Sequence, residues 1–215
     1  MFKKVSTTVL ITAIASISLV GCQSTGTQEE KLYPFTFDTA KISYNISGDA
    51  TGTKVAYIKG NKSSVEVHKT RKVSGVEQTM DTLTIDSGEY IYKINLNSKS
   101  GSVSKNPVYD ELIKTPAANR ADFLNKLNLG IVGQQTTMQQ PKEQRTYAGQ
   151  TCDLYTIQTF GEICLWQGLP LYTKVQIPGE ISASIEEATE IKLNLEVADQ
   201  KFVLPNGIKM QDLSR

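Results

Sequence analysis

Between residues 190 and 197, apolar and polar side chains alternate without a break. Ile191, Leu193, Leu195 and Val197 fall on one side, and Lys192, Asn194 and Glu196 on the other. A strand turns successive side chains to opposite faces, so this period of two predicts a strand with one face buried. The same rhythm recurs at residues 35–46, 54–58, 65–70, 82–86, 90–96, 152–157, 163–166 and 171–177. Gly60-Asn61, Asp86-Ser87-Gly88 and Phe160-Gly161 stand between runs as turn signals. Neighbouring strands joined by short turns predict hairpins and an antiparallel meander.

One stretch departs from that rhythm. Residues 107–129 carry Leu112, Ile113, Phe123, Leu124, Leu127 and Leu129 at helical spacing. Pro116 divides the stretch into two short amphipathic helices, with Asn119 placed to cap the second and Gly130 to end it. Phe123, Leu124 and Leu127 form an apolar face whose place in a curved sheet is the concave side. Residues 134–144, rich in Gln and Thr and containing Pro141, read as an exposed loop. The expected class is mainly β (α+β): a curved antiparallel half-barrel with short helices across its concave face.

The amino terminus fixes an address. Lys3 and Lys4 precede an apolar run over residues 5–20, which ends in Leu19-Val20-Gly21-Cys22. A positive flank, a short apolar segment and a small residue before cysteine make a bacterial lipoprotein signal, with Cys22 as the lipidated residue. A membrane-spanning helix fits less well, because Thr12, Ser16 and Ser18 interrupt a run shorter than the roughly 20 residues needed to cross. A multiply acylated Cys22 anchors the chain to a membrane without crossing it. Residues 1–21 are then the signal, 22–32 a polar tether and 33–215 one domain. Gln23 is not the aspartate that holds such proteins at an inner membrane, so the expected location is the outer membrane, facing the periplasm. Loss of the signal removes two of the 23 basic side chains, leaving 21 against 22 acidic ones. That near-neutral balance, with no basic stripe, argues against nucleic acid as a partner.

Two cysteines remain, Cys152 and Cys164. They lack the Cys-x-x-Cys spacing of a zinc or redox site, and an oxidising periplasm favours their joining as a structural disulfide. The single histidine, His68, alternates with Val65 and Val67 and so shares a wet strand face with Glu66 and Thr70. Adjacent Glu186 and Glu187 point to opposite faces of a strand, which disfavours a shared carboxylate site. No phosphate-cradling loop, calcium-loop spacing or serine elbow occurs. The residues therefore point to no catalytic group, metal or cofactor, and to a protein that is not an enzyme. Tyr90, Tyr92, Ile94 and Leu96 form one stripe, and Trp166 shares a face with Cys164; both read as core.

The order of elements over residues 35–210 resembles the periplasmic lipoprotein-carrier superfamily typified by LolA and LolB. The most specific piece is a strand over 191–197 followed by Phe202, Pro205 and Gly207, which looks like that superfamily's closing strands. The resemblance implies a half-open curved sheet with an apolar cavity under the helices that accepts an acyl chain or a lipoprotein's lipid. Two readings follow: a membrane-anchored module that binds such an apolar ligand, or an envelope-structural lipoprotein that holds a protein partner. A cavity lined by aliphatic side chains would mark the first; an exposed apolar patch or free sheet edge would mark the second.

Overall fold

The computed structural model describes residues 31–132, 140–157, 161–176 and 182–214. A first meander comprises β1 (Thr39–Gly48), β2 (Ala50–Lys59), β3 (Lys62–Val73), β4 (Val76–Asp86), β5 (Tyr90–Asn95) and β6 (Ser100–Lys105). Helices α1 (Pro107–Lys114) and α2 (Arg120–Val132) follow, separated by Pro116 and a 3-10 turn over Ala117–Asn119. A second meander holds β7 (Glu143–Tyr147), β8 (Gln150–Ile157), β9 (Gly161–Trp166), β10 (Leu169–Val175) and β11 (Ser184–Leu193), and β12 (Lys209–Asp212) comes last. All twelve join one open sheet in the order β12-β6-β5-β4-β3-β2-β1-β11-β10-β9-β8-β7. The architecture is thus mainly β, a curved antiparallel sheet with two short helices across it, as the alternation predicts.

The two meanders are joined where β1 pairs antiparallel with β11. Bulges at Thr189, opposite Ser43 and Tyr44, and at Leu171 on β10 sharpen the bend on that side. Curvature brings Ala40, Ile42, Tyr44, Ala56 and Ile58 of the first meander against Cys152, Leu154, Cys164 and Leu171 of the second. An aromatic column lies against this core: Tyr33, Phe35, Phe37 and Trp166 stack in sequence, with centroids 5.4, 5.0 and 5.7 Å apart.

The helices bridge two turns at one end of the sheet. Leu112 and Leu124 are buried with Leu32, and Phe123, Leu127 and Tyr109 pack around them. Tyr109 lies on Gly88 in the β4–β5 turn, and Leu124 lies on Gly168 in the β9–β10 turn. Leu129 reaches Tyr155, Ile157, Ile163 and Leu165, a second apolar cluster on β8 and β9.

Several boundaries differ from the sequence reading. The alternation of residues 190–197 is real in burial, with Val197 buried and Lys192, Asn194 and Glu196 exposed. The ladder nevertheless ends at Leu193, because Asn194 takes a left-handed backbone, φ 52°, and Leu195 to Ala198 run on without strand pairing. Gly130 does not end α2, which continues to Val132, and Asn119 sits in the 3-10 turn. Of the expected loop, Glu143 and Gln144 belong to β7, held by pairing with β8; residues 134–139 lie outside the described residues. Serine-rich β6 and four-residue β12 carry too few apolar residues to announce themselves, and their pairing is parallel, an exception to the meander. Leu32, placed by the sequence in the tether, is buried, and its N–H donates to Asn61 Oδ1 at 2.8 Å.

Candidate functional site

The sheet changes which face it buries. In β4 and β5, Leu83, Ile85 and Ile94 are buried on the face opposite the aromatic column, beneath Leu204, Ile208 and Met210 of the C-terminal segment. Lys201 fixes that segment, placing its ammonium 2.8 Å from Glu66 Oε1 and 4.5 Å from the centroid of the Tyr57 ring. Strand alternation then turns Thr82 and Thr84 of β4 to the concave side, where they line an open concavity.

The result is an open trough of about 700 Å³ across β4, β5, β6 and β12. Two cross-strand rows make its floor. Thr84, Lys93, Ser102 and Gln211 stand in one register row, and Thr82, Asn95, Ser100 and Lys209 in the next. Every member carries a hydroxyl, an amide or an ammonium, and among the described residues no carboxylate lines the trough. Among the described residues, neither Lys93 nor Lys209 has an ion-pair partner. Asn95 also lines a smaller concavity of about 340 Å³ farther along the same face, where Lys69, Arg71, Gln78 and Met80 meet Asp49. Arg71 Nε lies 3.8 Å from Asp49 Oδ2.

A partly buried polar cluster adjoins the core at Tyr44. Lys54 pairs with Glu186 and lies 4.3 Å from the centroid of the Tyr44 ring, and the Tyr44 hydroxyl donates to the Pro170 carbonyl at 3.1 Å. Burial, reinforced by Glu186, pushes the Tyr44 hydroxyl well above its ordinary pKa. At the helix end, the Asp86 carboxylate accepts from the Tyr33 hydroxyl at 3.3 Å, the Asn106 amide at 3.0 Å and the Gly88 N–H at 2.9 Å. Burial raises the Asp86 pKa, although those three donors act in the opposite direction.

The residues singled out from sequence fall in different places. Cys22 lies outside the described residues, as do the signal and the expected tether through Glu30. Cys152 and Cys164 are joined as a disulfide with Cα atoms 5.5 Å apart, buried in the core and remote in role from the trough. His68 is exposed and pairs with Asp81 directly across the β3–β4 ladder. Its face is wet there, but covered farther along, where Ser64 is fully buried and Glu66 meets Lys201. Glu186 and Glu187 part as expected: the first joins Lys54, the second stands opposite Tyr172. The Tyr92–Ile94 stripe packs under the C-terminal segment, with Ile94 also bordering the trough, while Leu96 is exposed.

Sequence reading missed the trough residues. Their signal was present in Thr82-Leu83-Thr84-Ile85 and Ser100-Gly101-Ser102-Val103-Ser104, where one face of each strand is uniformly hydroxylated.

No protein-family model matches the sequence, and no curated protein matches it either. Among solved structures, an uncharacterized conserved protein from Thermus thermophilus is similar at 9% identity and a TM-score of 0.47, covering 81% of this chain and 91% of that one. PNGF-II is similar in two crystal forms, each at 13% identity, with TM-scores of 0.43 and 0.38. Those alignments cover 82% and 83% of this chain but 31% and 32% of PNGF-II, so the chain spans about a third of that protein's length.

Proposed function

We propose that this chain is a lipid-anchored protein of the bacterial envelope, held through Cys22 at the outer membrane and facing the periplasm. On this reading its domain works by binding and not by turnover, and it takes a polar ligand in the trough. The observation that carries the reading is the division of the concave side. Its apolar half is packed by the aromatic column and the helices, while its open half offers about 700 Å³ floored by hydrogen-bonding side chains. A pocket of that size accommodates a small molecule, and the polar groups that line it set which one. The carrier resemblance implies instead an aliphatic cavity, and an apolar ligand is the alternative reading.

The test is mass spectrometry of the full-length protein extracted from envelopes in a mild neutral detergent. A polar species that co-purifies and is lost on mutation of trough residues supports the reading. A bound acyl species displaced by a fluorescent fatty acid would overturn it in favour of the apolar-ligand alternative. A second reading, docking of an envelope protein, is favoured by Val73, Val76 and Met80, which lie exposed about the β3–β4 hairpin tip. Photo-crosslinking from Val76 in intact cells tests it: a single discrete adduct supports the contact, and its absence removes it.

A further inference from the structure

We infer that the trough selects an anionic, hydroxyl-rich ligand, a sugar phosphate or sugar acid; this rests on the reading of the trough as a binding site. Lys93 on β5 and Lys209 on β12 are two strands and one register row apart. With strands about 4.8 Å apart and about 3.4 Å per residue along each, their backbones stand roughly 12 Å from each other. Two long side chains rising at that spacing can converge on one anionic group between them. They can equally hold two such groups at opposite ends of a sugar-sized ligand.

The electrostatics set the sign. Elsewhere on this sheet Lys59 is matched by Asp199 and Lys201 by Glu66, whereas Lys72 and Lys99 have no ion pair among the described residues. Among the described residues Lys93 and Lys209 have no such match, and the trough lining contains no acidic side chain. A cationic ligand would meet two like charges there, and an anionic ligand meets two unmatched opposite ones. The remaining groups set the rest of the chemistry. Ser100, Ser102, Thr82 and Thr84 each both donate and accept, and Asn95 offers an amide. That repertoire pairs with ligand hydroxyls, which also donate and accept. A bare inorganic anion would use the lysines and leave most of the floor idle.

The experiment is calorimetric titration of the full-length protein in neutral detergent with glucose 6-phosphate, glucuronate, glucose and inorganic phosphate. The expected order is glucose 6-phosphate and glucuronate ahead of phosphate, with glucose weakest, and with affinity for the anionic sugars falling as salt rises. Lys93→Gln and Lys209→Gln should each weaken the anionic sugars about tenfold, the loss of one charge-assisted hydrogen bond. Ser102→Ala should weaken glucose 6-phosphate and leave inorganic phosphate unchanged. Unchanged melting temperatures in all three variants would exclude misfolding. Glucose binding as well as glucose 6-phosphate, and equally in Lys93→Gln, would overturn the anionic assignment while leaving the trough a binding site. Phosphate binding as well as the sugars, indifferent to Ser102→Ala, would overturn the sugar assignment. If neither these probes nor any co-purified polar species engages the trough, the inference and the reading beneath it both fail.

Discussion

Removal of the Asn106 side chain should cost this fold about 3 kcal/mol by the bonds it makes. Asn106 is fully buried and serves three elements at once. Its Oδ1 caps α1, accepting from the N–H groups of Val108 at 3.1 Å and Tyr109 at 3.4 Å. Its Nδ2 donates to the Gly88 carbonyl at 2.9 Å and to Asp86 Oδ2 at 3.0 Å. Loss of the cap costs about 1 kcal/mol, and a buried carbonyl left without its donor adds about 1–3 kcal/mol. Asn106→Ala should therefore lower stability by about 3 kcal/mol. Asn106→Ser keeps a good capping oxygen but removes both donated bonds, so about 2 kcal/mol should be lost. Asn106→Asp keeps the cap and places a second carboxylate beside Asp86, whose pKa burial already raises. A carboxyl whose folded pKa is raised favours folding when protonated, so that variant's deficit should be small in acid and grow as pH rises through the folded values. Urea unfolding followed by Trp166 fluorescence, repeated across pH, measures all three. Less than 1 kcal/mol for Asn106→Ala, or a pH-independent deficit for Asn106→Asp, would refute the account of this node.

Two further outcomes are expected. Cys22→Ser should abolish incorporation of radiolabelled palmitate and move the protein from the membrane fraction to the soluble one; retention of label would refute lipidation at that residue. Reduction of the Cys152–Cys164 bond, or the double replacement by Ala, should lower stability by about 3 kcal/mol, the chain-entropy value for a loop closed across 12 positions. Equal urea midpoints with and without reductant would show that the buried pair contributes packing alone.

What the sequence disclosed follows from what each residue had to satisfy locally. Strands with one apolar face, such as β1 with Ala40, Ile42, Tyr44 and Ile46, print their burial directly in the order of residues. Pro116 announced the break between helices because a proline cannot continue the first. β6 and β12 were illegible for the opposite reason: they are held by pairing, with only Val103 and Met210 as apolar side chains, and not by an alternation of their own. The C-terminal segment covers the opposite face of β4 and β5 through contacts between residues more than 100 positions apart, which no local pattern encodes. The trough was hidden for that reason. Thr82 and Thr84 read equally well as an ordinary solvent face until the other face is known to be covered and β12 to stand alongside.

That dependence couples fold and site at β12. Met210 turns into the cluster of Leu83, Ile85 and Ile94, while its neighbours Lys209 and Gln211 turn into the trough. Gly101 on β6 makes room for this arrangement. A Cβ there would stand 2.6 Å from the Lys93 carbonyl oxygen and 3.0 Å from the Met210 sulfur. Gly101→Ala must therefore push β6 away from the Lys93 carbonyl of β5, and β12, which pairs with β6 and carries Lys209, is displaced with it, although position 101 offers the trough no side chain. Overpacking of this kind costs about 1–3 kcal/mol. If the trough binds anionic sugars through Lys209, Gly101→Ala should weaken that binding and lower the melting temperature together. Lys209→Gln should weaken the binding and leave the melting temperature where it was. Equal binding by Gly101→Ala and the wild-type protein would mean that the position of β12 is immaterial to the ligand. The site would then have to lie on β4 and β5 alone.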